Sequence, residues 1–221
     1  MPSPDPDEFR PDLQRKPHLR LSCCPPAGRD LWVFGYGSLM WHPGFPHVET
    51  RPGTLYGFHR SFCVRSVRYR GTREAPGLVL GLDRGGSCRG LVFRVPGGEV
   101  RTALDYLHDR EMMSDVYTPC HRPVVTAQGE VEALCFVVDR SNRQYIGRLD
   151  LEATAEIISR ATGQRGPCSE YLANTVRHLE SLGIGAGQLK RLLALVERRC
   201  GRTGATRERD AVHPSQQGRD G

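Results

Sequence analysis

Lysine is nearly missing from this 221-residue chain: of 31 basic side chains only Lys16 and Lys190 are lysines, the rest arginines. No lysine follows a glycine-rich turn, so no phosphate-binding P-loop is available. Long apolar runs are missing too. None approaches the ~18 residues that a membrane helix needs, and no membrane partner is expected. The first thirty residues have no apolar core of the secretory type, so export is not expected and the chain reads as cytoplasmic. Aromatics make up 7% of the chain and are seldom interleaved with the arginines, which stand singly, as at Arg60, Arg65, Arg68, Arg70 and Arg73. Stacking platforms for nucleic acid are therefore lacking, and the net charge of +6 suits a basic protein that handles an acidic peptide. The eight cysteines, at 23, 24, 63, 88, 120, 135, 168 and 200, contain no CxxC and no paired CxxH spacing. That excludes the common structural zinc patterns and leaves reduced, partly buried thiols as the expectation. Cys63, Cys120 and Cys135 lie in or beside apolar runs without a nearby histidine at a helix start, which argues against a thiol nucleophile. The histidines are singly placed, with structural or surface roles as the default.

What is present organises into one folded unit. Residues 1–29 are proline-rich and read as a flexible arm, residues 201–221 are almost devoid of apolar side chains and read as disordered, and the domain spans 30–200. Strand signals are short β-branched and aromatic runs: LWVFGYG, GTLYGFHRSFCV, LVLGLD, CRGLVFRV, HRPVVTA and VEALCFVVD. Glycines inside them (Gly57, Gly81, Gly90) predict bulges or sharp coiling, as a closed or strongly curved sheet requires. Helical periodicity predicts helices over Glu99–Arg110, Leu151–Thr162 with Asp150 as N-cap, Ser169–Glu180 and Ala186–Arg199. Strands crowd the first part and helices the last. The predicted fold class is α+β, a small curved mixed sheet or barrel-like core with helices around it.

Four segments carry candidate chemistry, one of them SEYLANTVRHLESLGI, residues 169–184. In LWVFGYGSLM, residues 31–40, an apolar strand runs into Gly35-Tyr36-Gly37-Ser38. The glycines free the backbone to turn its N–H groups toward a carboxylate or oxyanion, or simply to make a tight turn between strands. Position 40 is methionine, so the pattern is not a dinucleotide fingerprint. The segment YLHDREMMSDVY, residues 106–117, ends a helix and delivers Asp109, Arg110, Glu111 and Asp115 among methionines and tyrosines. A carboxylate there is either a solvated helix end paired with arginine or a general base whose pKa is raised by apolar neighbours. Tyr145, in SNRQYIGRLD, sits in a loop between strand and helix, as a binding residue or as packing.

Taken together and in order, WVFGYGSLMWHPGFP, RGTREAPGLVLGLD, CRGLVFRV, YLHDREM followed by VY, YIGRL and SEYLANTVRHLESLGI resemble the ChaC family of γ-glutamylcyclotransferases, from about residue 31 to about 196. The resemblance implies a barrel-like γ-glutamylcyclotransferase fold and a carbon–nitrogen lyase that converts glutathione to 5-oxoproline and Cys-Gly, in glutathione catabolism, with no cofactor and no metal. It implies Glu111 as the catalytic base. The loop Tyr36, Gly37, Ser38 and Leu39, with the strand end Val33, Phe34 and Gly35, is implied to hold the γ-glutamyl moiety through backbone groups. Tyr145 is implied as a substrate contact. The glycine carboxylate of glutathione could meet Arg60, Arg65, Arg73 or Arg110. Two alternatives stand beside this reading: a cyclotransferase for other γ-glutamyl amines or amino acids, and a catalytically silent module binding peptide or RNA. Oligomeric state is not readable.

Overall fold

A computed structural model describes residues 18–211. In chain order the elements are α1 (Leu19–Ser22), β1 (Leu31–Gly35), a 3-10 turn (Ser38–Met40), β2 (Glu49–Ser66), β3 (Gly77–Val95), α2 (Val100–Glu111), β4 (Tyr117–Thr126), β5 (Gly129–Val138), α3 (Leu151–Arg160), the two-residue strands β6 (Thr162–Gly163) and β7 (Gly166–Pro167), α4 (Cys168–Ser181) and α5 (Gly187–Ala211).

Strand β1 is apolar at nearly every position because both of its faces are covered. Leu31 and Val33 belong to one buried cluster and Phe34 to another. Along one edge β1 pairs antiparallel with β3, Leu31 opposite Val95 through Gly35 opposite Leu91. Along the other it pairs parallel with β5 through Trp32 and Val33. That parallel pairing closes the barrel in the order β1-β3-β2-β4-β5, so the barrel itself has no open edge strand. The mixed, barrel-like core expected from the sequence is the observed one.

LVLGLD and CRGLVFRV are not two strands but the two ends of β3, which pairs with β2 along almost its whole length. The linking residues look like a loop in sequence because the ladder is bulged there. Gly57 falls at a register shift with φ +81°, and Gly85 and Gly86 opposite it have φ +100° and +70°, conformations that glycine adopts freely. Gly90 serves close approach instead: a Cβ there would sit 2.3 Å from the Gly35 carbonyl oxygen, so glycine lets β3 press against the start of the 35–39 loop.

Helix α2 buries Val100, Ala103, Leu104 and Leu107, one stripe at helical spacing. This stripe packs into the cluster that contains Val33, Phe93, Leu134 and Phe136. Asp150 caps α3, its carboxylate accepting from the Ala153 amide at 2.7 Å. Ile158 of α3, Leu172 and Val176 of α4, and Leu192 and Val196 of α5 cover the other cluster.

The described parts of the arm and the tail carry helices α1 and α5. Of residues 1–29, those from 18 onward are described, and Leu19 and Cys23 are buried against the α2 cluster. Their apolar side chains complete a surface that α2 leaves uncovered. Helix α5 runs to Ala211, past Arg199 and into the segment read as disordered, while residues 212–221 lie outside the described residues. No helix among the described residues is long and apolar enough to cross a membrane.

Candidate active site

Two pieces of chain meet at one end of the barrel. The first is the turn after β1. Gly37 precedes the 3-10 turn, whose first closing bonds run from the Met40 amide to the Gly37 carbonyl at 2.9 Å and from the His42 amide to the Ser38 carbonyl at 2.9 Å. The N–H groups ahead of Met40 therefore have no acceptor within the turn. The second piece is the end of α2, where Glu111 is the last helical residue. Beyond it Asp115 adopts φ +49°, a left-handed turn that an aspartate tolerates and that redirects the chain into β4.

Between them lies a pocket of about 330 Å³, counting the space open to solvent, lined by Tyr36, Gly37, Ser38, Leu39, Leu80, Glu111, Tyr117, Phe136 and Tyr171. Glu111 is the only carboxylate in that lining. Its side chain keeps 17% exposure, and burial pushes its pKa above the ordinary glutamate range against the opposing pull of the Arg110 and Arg165 cations.

Arg110 joins the two pieces. Its Nε lies 3.0 Å from Glu111 Oε1, Nη2 donates to Ser38 Oγ at 2.9 Å, and Nη1 reaches Tyr106 Oη at 2.9 Å and the His42 carbonyl. One planar fork thus fixes the carboxylate and the glycine turn in one frame. Since Ser38 Oγ accepts from Arg110, its own proton is left for another acceptor, and the Arg110 ion pair engages only Oε1 of Glu111.

Three phenols stand in the remaining wall beside Leu80 and Phe136. Burial raises the pKa of Tyr36 and Tyr117 well above the ordinary tyrosine value, and that of Tyr171 also rises. Tyr36 donates to the Phe136 carbonyl at 3.1 Å and Tyr117 to the Leu80 carbonyl at 2.9 Å. A Cβ placed on Gly37 would meet the Tyr171 hydroxyl at 3.3 Å, so glycine keeps the turn open beside that ring. The Arg60 Nε donates to the Tyr36 carbonyl and its Nη2 to the Arg89 carbonyl at 2.7 Å, which braces the turn from behind. The site can place hydrogen-bond donors, a proton acceptor and apolar walls around one small acyl group.

The ChaC-like protein family model matches residues 31–199. The chain belongs to this ChaC-like family. It is 35% identical to the Escherichia coli glutathione-specific gamma-glutamylcyclotransferase over 80% of this chain and 77% of that protein. It is 33% identical to the human glutathione-specific gamma-glutamylcyclotransferase 1 over 76% of this chain and 77% of that protein. The crystal structure of a yeast gamma glutamyl cyclotransferase specific to glutathione superposes with a TM-score of 0.70, covering 76% of this chain and 96% of that one at 22% identity. The shared fold is the γ-glutamylcyclotransferase one.

In this ChaC-like chain the sequence-expected residues separate into two groups. Tyr36, Gly37, Ser38, Leu39 and Glu111 share the pocket wall. Val33 and Phe34 are fully buried strand residues that, with Gly35, position the turn from behind and do not line it. Tyr145 lies outside the lining, its hydroxyl donating to Asp83 Oδ2 at 3.0 Å beside the Asp83–Arg140 ion pair. Sequence reasoning gave no role to Leu80, Tyr117, Phe136 or Tyr171, and weighed Arg110 as a partner of the helix-end carboxylate or a contact of the substrate's glycine carboxylate without tying it to the glycine turn. Tyr117 and Tyr171 stand in the quoted segments DVY and SEYLANT. What singles them out is the barrel closure that brings β4 and α4 to the end of α2, which no local pattern carries. Burial pushes Cys63 up to about 12 and raises Cys120 and Cys135 as well, which disfavours the thiolate at these three positions.

Proposed function

We propose that this chain is a glutathione-specific γ-glutamylcyclotransferase, with Glu111 as its proton relay. The observation that carries the proposal is the partly desolvated Glu111 carboxylate in one pocket with the Gly37–Leu39 backbone, both pinned by Arg110. The names of the Escherichia coli and human relatives support glutathione as the substrate.

The γ-glutamyl group enters the pocket with its α-amine toward Glu111. The amine attacks its own γ-carbonyl carbon, a C–N bond closes the five-membered lactam, and the γ-carbonyl bond to the cysteine nitrogen breaks. The reaction is intramolecular, so fixing the productive conformer recovers part of an entropic advantage of about 7–11 kcal/mol. The substrate's own amine is the nucleophile, and the sequence of bond changes calls for no cofactor or metal.

Over the cycle the ammonium gives up two protons and the departing nitrogen gains two. A single carboxylate that relays each in turn finishes as it began. A raised pKa suits it to both halves, since an ordinary glutamate near 4.3 is a poor acceptor for an ammonium near 8. The developing oxyanion takes donors from the backbone N–H groups of the 37–39 turn, each worth roughly 3–4 kcal/mol by comparison with other oxyanion holes. Eight unpaired cysteines suit a cytoplasmic setting.

The test is release of 5-oxoproline from glutathione and from γ-glutamyl-alanine by the purified chain. Glutathione is expected to yield lactam. Glu111→Gln keeps the shape and removes the base, and is expected to lose about 10²–10⁴-fold in kcat with an unchanged circular dichroism spectrum. A Gln variant that keeps most of the activity defeats the relay, and no lactam from either peptide defeats the cyclotransferase reading.

A further inference from the structure

The segment after β2 carries Arg68, Tyr69 and Arg70, and the hairpin of β6 and β7 seats on it. The Gln164 amide donates to the Arg68 carbonyl and the Arg165 amide to the Tyr69 carbonyl, both at 2.9 Å. A Cβ on Gly163 would lie 2.5 Å from the Gly71 amide nitrogen, so the hairpin is locked in contact. The Tyr69 ring has Arg165 over it at 4.1 Å and Arg68 at 5.5 Å. Its hydroxyl contacts Met113 Sδ at 3.2 Å, two residues beyond Glu111. Arg70 stands over the Tyr171 ring at 5.6 Å, and Tyr171 lines the pocket. This arginine group therefore forms a rim beside the pocket that holds Glu111.

The three cations are not equivalent. Arg68 Nε donates to Gln164 Oε1 at 3.1 Å. Arg70 Nη1 donates to the Pro167 carbonyl at 3.0 Å and pairs with Glu170 at 3.3 Å. Arg165 is exposed, and no carboxylate among the described residues pairs with its guanidinium. Its seat over the Tyr69 ring holds that guanidinium in place, and a guanidinium held on a ring face can still take a carboxylate in two-pronged fashion. Its charge reaches the site, for it is one of the two cations that pull Glu111 downward against burial. Of the other candidates for this task, Arg60 and Arg110 spend their guanidinium groups on internal oxygens and Glu111.

We infer that Arg165 binds the far carboxylate of the substrate, that of glycine in glutathione, and thereby makes the site select this tripeptide over γ-glutamyl amides lacking a charge at that end. The inference rests on the cyclotransferase reading above. A γ-glutamyl group lodged beside Glu111 leaves the Cys-Gly portion to emerge over the rim, where Tyr69 and Met113 offer apolar contact and Arg165 the countercharge. Binding energy gathered there, away from the reacting atoms, helps hold the acyl group in its reactive pose.

The test compares glutathione with its glycine monoethyl ester, which has the same length and lacks that charge. Wild type, Arg165→Ala and Arg165→Lys are each assayed for 5-oxoproline release. Wild type is expected to favour glutathione over the ester by about tenfold in kcat/KM. Arg165→Ala should abolish that preference, mainly through KM, and Arg165→Lys should restore part of it. Loss of the Arg165 charge also perturbs Glu111, but that effect is common to both substrates and cancels in their ratio. A wild type that does not distinguish the two substrates, or an Arg165→Ala variant that still prefers glutathione by the wild-type factor, overturns the inference and leaves the cyclotransferase reading standing. Failure of wild type to release lactam from either substrate overturns both.

Discussion

Replacing Arg110 by methionine removes the fork between the base and the glycine turn while keeping most of the side-chain volume. The lost contacts are Glu111 Oε1 at 3.0 Å, Ser38 Oγ at 2.9 Å, Tyr106 Oη at 2.9 Å and the His42 carbonyl. The Arg110 and Glu111 side chains keep 10% and 17% exposure, so the pair lies between surface and core. A fully buried pair broken on one side costs about 3–5 kcal/mol, and partial exposure brings the expected loss of stability to about 2–3 kcal/mol. The turn and the carboxylate then move independently, and a misplacement of about 1 Å is expected to lower kcat on the order of 10²-fold. The pH profile adds a signature that a folding defect does not produce. Arg110 opposes the effect of burial on Glu111, so its removal raises the pKa of that carboxyl further. The acidic limb of kcat/KM therefore moves to higher pH, and activity falls more at pH 6 than at pH 8. Arg110→Lys keeps the cation but not the fork, so its limb stays near that of wild type while its plateau falls. The assay is 5-oxoproline release across pH for the three proteins. A methionine variant within about twofold of wild type with the same acidic limb refutes the tether. A rise in KM with kcat unchanged would instead assign Arg110 to the substrate carboxylate.

Glu111 also carries a stability signature. Its folded-state pKa is raised, so its contribution is fully present below the ordinary glutamate value and is lost as pH rises through the raised one. Glu111→Gln lacks that loss. The Tm of the variant should therefore gain on wild type as pH rises through this window, and a constant difference across it shows that Glu111 titrates as it would unfolded. Tyr145→Phe removes the hydrogen bond to Asp83. Denaturant melts should show a loss of about 0.5–1.5 kcal/mol with kcat/KM for glutathione little changed, whereas a large rise in KM would identify Tyr145 as a substrate contact.

What could be known from the sequence alone was local in character. Apolar runs, interior glycines and helical spacing specify strands, bulges and helices through steric and burial rules that act over a few residues, which is why Asp150 reads as a cap and Gly57 as a bulge. The same locality split β3 in two, where its bulge admits Gly85 and Gly86. The tertiary structure decided the rest. Closure of β1 onto β5 in parallel sets the end of α2 beside the turn at 36–39, brings Tyr117 and Tyr171 to the wall, and turns Arg110 from one scattered charge among many into a tether. A carboxylate's pKa and an arginine's freedom to bind depend on what lies within a few ångströms of them, and chain closure, not sequence distance, determines those neighbours.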